Sequence, residues 1–418
     1  MMAGMLPINL ILLLAALPGA GLAFYLLGLT VAACLHPARR RIDGRYEGPR
    51  TARTHFLILI PAHNEELLLG EVLDRLRQLT YPVNHTTLAV IADNCTDSTA
   101  AVARQHGALV WERTDTLRRG KGQALDWAMR TRIPSLEGPC EAVVILDADS
   151  TVNPDFLWFM DEQLAQGREV LQGYYGVQNP LESWRTALTT VSLAAFHFLR
   201  PLGRDRLGLP CGLKGNGMCF ARRLVTQYGY PAFSVVEDVE LALFYLQQGI
   251  RVQFVPGAQV MGQMAVSAQA AGTQRARWEG GRLALLRRHC WPLLREGVRR
   301  RDAARLDGAL DLLVPPFAIL WAATVLPALG VAVWWLVAPH GVWPATAVLC
   351  GGALGAELLY VLVALRLIRA PAGVYWRLAA VPLFLAWKLV VYVRMFQQAR
   401  RGGAEEWIRT DRTAMKKK

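Results

Sequence analysis

Two aspartates near the middle of the chain have a spacing that suits a hard metal ion. Residues 142–146 have the pattern of a buried strand, and Asp147 and Asp149 come directly after it. Mg²⁺ and Mn²⁺ prefer oxygen ligands, and such ions often use one or two carboxylates and complete their coordination with substrate phosphates and water. An aspartate at a strand end is also common in turns and helix caps, so the pair alone leaves both interpretations open.

Polar side chains also follow two earlier apolar runs. The residues concerned are Ala62, Asn64 and Glu65 in the first turn and Asp93 at the end of the second run. Helix capping is an alternative function for Asn64 in the first turn, and for Asp97 or Ser98 after the second run.

Lys121 stands between two glycines where a helix is predicted to begin. This is not a Walker A loop, because Gly122 occupies the place where Ser or Thr must follow the lysine. A flexible backbone beside a cation nevertheless suits the binding of a diphosphate.

Two later motifs combine charged and aromatic side chains. Asp238 lies in the acidic run 235–240, and Gln274, Arg277 and Trp278 form a QxxRW signature. A carboxylate can accept the proton of an attacking hydroxyl, a guanidinium binds phosphate oxygens in pairs, and an indole offers a flat face to a sugar. The alternatives are the acidic first turn of a helix for Asp238 and an interfacial helix with a Trp anchor for the QxxRW segment.

The elements around these motifs predict how they come together. Between residues 54 and 290, short β-branched runs alternate with amphipathic stretches, which is typical of βα units and a mostly parallel sheet. Ligands of open α/β sheets bind at the carboxyl ends of the strands, where the polar motifs fall. The predicted strands are 56–60, 88–92, 108–111 and 142–146, and the predicted helices are 66–79, 98–106, 123–130 and 154–166.

Long apolar runs flank this α/β domain. Residues 6–36 are predicted to form an N-terminal transmembrane helix, since no charged residue occurs between Leu6 and Leu35. The arginines at 39–41 follow this run instead of preceding it, which argues against a cleaved signal peptide and predicts a cytosolic α/β domain.

The C-terminal part, 309–398, contains three further apolar segments, at 312–338, 342–367 and 375–396. The third carries several basic residues, so it either spans the membrane or lies along the interface. A basic tail, 399–418, is predicted to be cytosolic. Its resemblance to the tails of related membrane proteins implies that Trp407 and Arg409 return near the α/β domain.

Charge and cysteine content narrow the function classes. The net charge of +13 is compatible with nucleic acid, an anionic membrane surface or a phosphorylated substrate. The basic residues of the chain are concentrated beside the apolar runs. This position favours binding to a membrane surface and argues against binding to nucleic acid. Seven cysteines without a CxxC pair predict neither a disulfide framework nor a zinc ribbon, and they fit a reducing compartment.

Six motifs in order resemble family 2 glycosyltransferases of the GT-A fold, especially the membrane synthases of cellulose, chitin, hyaluronan and poly-N-acetylglucosamine. The resemblance covers about residues 54–290. The motifs are Pro61-Ala-His-Asn-Glu65, Asp93-Asn-Cys-Thr-Asp97, Gly120-Lys-Gly122, Asp147-Ala-Asp149, Val236-Glu-Asp238 and Gln274-Arg-Ala-Arg-Trp278.

The resemblance implies a function for each motif on the donor side. Asp93 and the turn 62–65 would hold the uracil and ribose of a UDP-sugar, with Lys121 beside them. Asp147 would contact the nucleotide sugar, and Asp149 would bind Mg²⁺ or Mn²⁺ together with Asp147.

On the acceptor side, the resemblance implies that Asp238 is the general base. Arg277 would neutralise the departing diphosphate, and Trp278 would stack on an acceptor sugar. Val236 stands where the family usually has Thr, which alters the hydrogen bonding around the base. Relatives carry an acceptor-contacting loop where this chain has Gly215-Asn-Gly217, although that sequence is also an ordinary turn.

The resemblance therefore implies an inverting, metal-dependent transfer from a UDP-sugar to a glycan or lipid acceptor. We expect a multi-pass protein of the inner (plasma) membrane with its catalytic domain in the cytosol. The alternatives are a single-transfer enzyme acting on a ceramide-like or polyprenyl lipid, and a membrane nucleotide-binding or transport protein without catalysis. Three or four apolar segments are few for a polysaccharide channel, so polymer export would need a small partner subunit or a homo-oligomer.

Overall fold

The computed structural model describes residues 2–37, 42–266, 268–338, 343–385 and 387–388. Within them, eight strands form one sheet with the order β3-β2-β1-β4-β7-β6-β8-β5. The strands are β1 (Phe56–Ala62), β2 (Thr86–Asp93), β3 (Leu109–Arg113), β4 (Ala142–Ile145), β5 (Ser150–Val152), β6 (Val170–Val177), β7 (Met218–Ala221) and β8 (Val252–Gly262).

Helices cover both faces of the sheet, and further helices pack beside the α/β domain. They are α1 (Met2–Cys34), α2 (Leu69–Arg77), α3 (Thr99–Gln105), α4 (Lys121–Thr131), α5 (Phe156–Ala165), α6 (Trp184–Leu193), α7 (Arg200–Arg206), α8 (Arg222–Tyr228), α9 (Glu237–Gln247), α10 (Ala268–Arg300), α11 (Ala303–Leu313), α12 (Phe317–Val337), α13 (Pro344–Leu367) and α14 (Ala372–Trp376). A π-helical segment, Ala194–Leu199, joins α6 to α7.

The sheet is mostly parallel, as the alternation of strands and helices predicts. Strands β3, β2, β1 and β4 are parallel to one another, and β6 is parallel to β8. The strand β7 is antiparallel between β4 and β6, and β5 is antiparallel to β8 at the edge. The α/β fold class expected from the sequence is therefore confirmed.

The central strands are apolar on both faces because both faces are covered. Leu57 and Leu59 of β1 pack into one core cluster, while Ile58 and Ile60 pack into the cluster on the other face. Successive side chains of a strand point to opposite faces, so a strand buried on both sides has no polar alternation.

The four predicted strands and four predicted helices all exist, with shifted ends. The largest shift is in the helix predicted at 66–79, which begins at Leu69 and ends at Arg77. The capping function considered for Asn64 is wrong, because the N-cap of α2 is Leu68 and no side chain caps it. Ser98 is the N-cap residue of α3, but the backbone N–H of Thr99 donates instead to the Asp97 carboxylate, at 3.0 Å.

Three helices of the described residues are long and apolar enough to cross a membrane: Pro7–Cys34, Phe317–Val337 and Pro344–Leu367. The segment predicted at 312–338 is interrupted, since α11 ends at Leu313 and α12 begins only after Pro315 and Pro316. Proline restrains the residue before it to an extended conformation, which explains the break. Between two of these helices, the Thr324 hydroxyl of α12 donates to the Glu357 carboxylate of α13 at 3.0 Å.

The third C-terminal segment is described only in part. After α14 the chain forms a 3₁₀ turn, Arg377–Ala380, and a short helical stretch that reaches Leu385. Lys388 Nζ lies 2.7 Å from a carboxylate oxygen of Glu279 on α10. The tail with Trp407 and Arg409 lies outside the described residues, so its predicted position stays a prediction.

Candidate active site

One cavity of about 1350 Å³ opens at the carboxyl ends of β1, β2 and β4. Most of the residues singled out from the sequence line it: Ala62, Glu65, Asp93, Lys121, Asp147, Asp149, Asp238, Arg277 and Trp278. Asn64 lies beside the cavity without lining it. Gln274 is on α10, but its side chain lies outside the described part of the structure.

Asp93 is held in place by a buried arginine. Arg113, at the end of β3, donates to the Asp93 carboxylate at 2.6 Å, and the side chains of both residues are largely shielded from solvent. A ring nitrogen of His63 lies 2.8 Å from the Asp93 carbonyl oxygen. The adjacent ends of β1, β2 and β3 are thus fastened to one another by polar groups.

Asn64 joins the two polar turns. Its backbone has a φ of 56°, in the left-handed region that asparagine tolerates. Its amide oxygen accepts a hydrogen bond from the Thr96 N–H at 2.8 Å, and its amide nitrogen donates to the Thr96 hydroxyl at 3.1 Å. The side chain therefore shapes the cavity rim.

Lys121 connects the helix α4 to the aspartate pair. Its ammonium donates to Asp147 and to the carbonyl oxygen of Gly215, at 2.5 Å each. Burial lowers the pKa of Lys121, but the carboxylates of Asp147 and Glu237 outweigh it and raise the pKa overall. Lys121 is therefore a fixed cation.

The glycine after Lys121 is required by close packing. A Cβ at Gly122 would lie 2.2 Å from the Ala232 carbonyl oxygen, closer than any real contact of this kind. The first turn of α4 can approach the segment before α9 only because residue 122 has no side chain. This contact explains why Gly, and not the Ser or Thr of a Walker loop, follows the lysine.

A buried asparagine ties the Gly215-Asn-Gly217 loop to the aspartate turn. The Asn216 amide oxygen accepts from the Asp147 N–H at 3.2 Å, and its amide nitrogen donates to the Ser150 hydroxyl at 2.6 Å. Asn216 is completely buried. The loop is therefore hydrogen-bonded to the aspartate turn and helps to position Asp147.

The donor set of Asp147 and Asp149 fits a divalent cation that is shared with a substrate. Both carboxylates line the cavity, and the described residues contain no group of three or more His, Cys, Asp or Glu side chains gathered as for a permanently held metal. Mg²⁺ and Mn²⁺ bound with a nucleotide need only one or two carboxylates, because phosphate and water supply the rest.

Asp238 and Glu237 form the first turn of α9 and face the same cavity. Burial raises the pKa of both side chains, that of Glu237 to about 7. The turn is fixed from outside by α10, since a Cβ at Gly281 would lie 2.9 Å from a methyl group of Val236. A carboxylate of raised pKa is a stronger base than an exposed one, which suits proton abstraction.

Arg277 and Trp278 lie on α10 and also line the cavity. Burial lowers the pKa of Arg277, while the Glu237 carboxylate opposes this effect. An arginine stays protonated in proteins at neutral pH, so Arg277 presents a cation to the cavity. Trp278 packs beside the small cluster of Val177, Leu193 and Met264.

The cavity continues from these polar groups to the membrane helices. Its far end is lined by apolar side chains of α12, α13 and the segment that follows α14: Phe317, Trp321, Leu354, Leu358, Val361, Leu378, Phe384 and Leu385. The polar and apolar parts share one space.

Sequence reasoning missed several charged residues of the site, and Arg113 and Lys214 are two of them. Arg113 was overlooked because the predicted strand ended at residue 111, two residues too early. Lys214 lines the cavity and is 8% exposed. Its only signal was a lone lysine in the largely apolar stretch before Gly215, beside a loop that had been noted.

Residues 52–281 match the family described as "Glycosyltransferase like family 2". The match covers more than half of the 418 residues and contains all six motifs.

Curated relatives are similar over the same region. The chain is 28% identical to the beta-monoglucosyldiacylglycerol synthase of Nostoc sp., over 62% of this chain and 56% of the relative. It is 27% identical to the probable glucomannan 4-beta-mannosyltransferase 14 of Arabidopsis thaliana, over 61% and 50% of the two chains. The chain thus spans about half the length of these relatives. Among solved structures, the mannosyltransferase PcManGT of Pyrobaculum calidifontis, in complex with GDP-Man and Mn²⁺, is 20% identical, with a TM-score of 0.43 over 83% of this chain and 97% of that chain.

Proposed function

The chain belongs to glycosyltransferase family 2 and is a sugar-transferring enzyme, and we propose that it transfers a sugar from a UDP-sugar to a lipid acceptor with inversion at the anomeric carbon. The main support for this proposal is that the cavity is continuous. Carboxylates line one end of it, and apolar side chains of the candidate membrane helices line the other. An acceptor that spans both parts is amphipathic.

The donor occupies the end of the cavity at β1, β2 and β4. Asp93, positioned by Arg113, and the turn 62–65 bind the nucleoside, and Lys121 stands beside the diphosphate. Asp147 and Asp149 hold Mg²⁺ or Mn²⁺ together with the diphosphate. When bound, the metal supplies positive charge that neutralises the leaving group.

Asp238 removes the proton of the acceptor hydroxyl. The hydroxyl oxygen forms a bond to the anomeric carbon as the bond from that carbon to the diphosphate oxygen breaks. The proton stays on Asp238, and UDP leaves with the electron pair toward Arg277. A single displacement of this kind inverts the anomeric centre.

The position of the acceptor follows from the membrane helices. The apolar end of the cavity lies between α12, α13 and the segment after α14, so a lipid can reach Asp238 while its tail stays among apolar side chains. Glycosylation at the cytosolic face agrees with the arginines at 39–41 beside α1. The relative from Nostoc sp., named for a glucosylated diacylglycerol, supports a lipid acceptor.

A glycan acceptor is the second candidate, favoured by Trp278 on the cavity wall and by the glucomannan relative. In that case, further helices from a partner subunit or a second copy would have to complete a channel.

The test supplies the purified full chain, in lipid nanodiscs, with UDP-glucose, UDP-N-acetylglucosamine and UDP-galactose separately. Mass spectrometry of the products should show a lipid carrying one hexose residue for one of these donors, only with Mg²⁺ or Mn²⁺ present. Asp238→Asn is the inactive control. A polysaccharide without glycolipid would reject the lipid acceptor, and full turnover in a metal chelator would reject the metal.

A further inference from the structure

A group of charged side chains lies where the cavity passes from the catalytic domain to the membrane helices. We name it the junction cluster, and it consists of Arg200, Arg204, Lys214, Arg282, Asp307 and Asp311. Four cations face two carboxylates, so the cluster carries an excess of two positive charges when all six groups are ionised.

The arginines of the cluster share the carboxylates among them. Arg200 lies 3.1 Å from Asp311, and Arg204 contacts both Asp307 and Asp311. Arg282 donates to the Asp311 carbonyl oxygen and lies 3.9 Å from its carboxylate. Burial alone would raise the pKa of Asp311, but the surrounding arginines hold it far below its ordinary value, so Asp311 is a fixed anion.

Lys214 differs from the arginines. Among the described residues, its ammonium has no hydrogen bond or ion pair, although the residue is only 8% exposed. It lies over the ring of Phe196, at 3.9 Å from the centroid, and the guanidinium groups of Arg200 and Arg282 lie 4.9 and 5.3 Å from the same ring. Burial lowers the pKa of Lys214 to about 8, so it is mostly charged at neutral pH. The carboxylates of Asp311 and Asp238 attract Lys214, but neither forms an ion pair with its ammonium. A buried charge without a counter-ion in contact is costly, which indicates that a bound anion contacts Lys214.

Lys214, Arg200 and Arg282 all line the cavity. Arg200 also donates to the hydroxyl of Tyr360 on α13, at 3.1 Å, and Tyr25 of α1 donates to Asp307 at 2.7 Å. The cluster is therefore fastened to two candidate spans near the level at which α12 begins. If α12 crosses a bilayer, its first turn lies at the level of the polar headgroups.

We propose that the junction cluster binds a phosphate group of the lipid acceptor, which lies between the lipid tail and the hydroxyl that Asp238 activates. The inference rests on the proposed function and narrows its acceptor to phosphate-bearing lipids. Lys214 provides a point charge, and Arg200 and Arg282 provide planar donors that suit phosphate oxygens. Two kinds of lipid have this chemistry: a phospholipid with a hydroxylated headgroup and a sugar linked to a polyprenyl diphosphate.

The decisive variants are Lys214→Met, which removes the charge, and Lys214→Arg, which keeps it. Arg223→Met is the matched control, because this arginine is exposed on α8 and outside the cavity. Three acceptors are compared: phosphatidylglycerol, polyprenyl diphosphate N-acetylglucosamine and uncharged diacylglycerol. The first two distinguish the sources of the phosphate.

For the preferred phosphate-bearing acceptor, Lys214→Met should raise KM by about 10-fold or more, the effect of losing a charged hydrogen bond. Lys214→Arg should stay within about 3-fold, and KM for the UDP-sugar should not change. Short-chain phosphatidylglycerol or the polyprenyl diphosphate sugar should also raise the Tm of the wild-type protein and not that of Lys214→Met.

The inference is overturned if the wild-type protein prefers diacylglycerol, or if Lys214→Met changes KM for the UDP-sugar instead. Both results would leave the proposed lipid transfer intact. Absence of any glycolipid, with polymer as the product, would reject the proposed function itself and the inference with it.

Discussion

Asp149 and Asp238 line one cavity but have different environments, which fits the different functions that we propose for them. Asp149 belongs to the turn after β4, beside Asp147 and its partner Lys121. Asp238 begins α9, where burial raises its pKa. A metal-binding carboxylate must stay ionised, whereas a general base benefits from a higher proton affinity. The two residues should therefore respond differently to the same chemical change.

Asp149→Asn should abolish metal-dependent UDP binding, because the amide carries no negative charge for the cation. Asp238→Asn should leave UDP binding within a few fold and lower kcat by at least ~10², as expected for loss of a general base. Calorimetry with UDP and Mn²⁺ measures the first effect and initial rates measure the second. Full turnover by Asp238→Asn would contradict the assignment.

The raised pKa of Asp238 also predicts the pH dependence. The base acts only when deprotonated, so kcat/KM should fall as pH falls through a pKa above the ordinary aspartate value of about 4. The affinity for UDP, measured over the same pH range, is the control for loss of donor binding. A kcat/KM that stays constant down to about pH 4 would show that no group of raised pKa is needed.

At the scale of elements, sequence patterns predicted the parts with local signals. The strands β1, β2 and β4 were recognisable as apolar runs, and the cavity opens at their carboxyl ends, where the site was predicted. The antiparallel strand β7 was not predicted, because its insertion between β4 and β6 depends on pairing between distant residues. The sequence indicated the helix α10 only through the QxxRW motif at 274–278. It extends to Arg300, beyond the domain boundary expected at 290.

Charged residues that complete the site were missed for a related reason. Arg113 and Lys214 look ordinary in the sequence, since their importance comes from what lies next to them in space. Asp93 gives Arg113 its function, and Phe196 with Asp238 surrounds Lys214. Motifs find residues that repeat a known order, but burial and pairing require the fold.

Gly122→Ala tests the contact between α4 and the segment before α9. The added methyl group cannot fit against the Ala232 carbonyl oxygen, so α4 and Lys121 must shift. Overpacking of this kind costs about 1–3 kcal/mol, and the Tm and the affinity for UDP should both fall. Gly21→Ala on α1, with no atom within 4 Å of the new Cβ, is the control. Unchanged UDP affinity in Gly122→Ala would show that the contact does not position Lys121.

In the whole molecule, the catalytic domain packs on candidate membrane helices that supply one end of its cavity. The helix α1 contacts both α12 and α13, so the N-terminal and C-terminal spans form one unit. The sequence predicted the spans but not the break before Phe317 or the shared cavity. These features depend on how the spans meet the domain, which no local pattern encodes.

The C-terminal tail tests the topology. We expect 375–396 to lie in the interface and residue 414 to be cytosolic, since basic residues at 400–401 and 416–418 follow the positive-inside rule. A cysteine introduced at Ala414 should react with an impermeant thiol reagent only after the cells are opened. The native cysteines are replaced beforehand, and the protein without any cysteine is the control. Labelling of intact cells from outside would mean that the segment crosses the membrane.

We propose that one chain adds a sugar to a lipid and does not export a polymer by itself. The most direct test reconstitutes the purified chain in vesicles of phospholipid and acceptor lipid, with donor and Mn²⁺ outside, and sizes the product. We expect a lipid that carries one sugar, in β linkage when the donor is α-linked, and accessible to a glycosidase added outside. A long polymer protected inside the vesicles would contradict it.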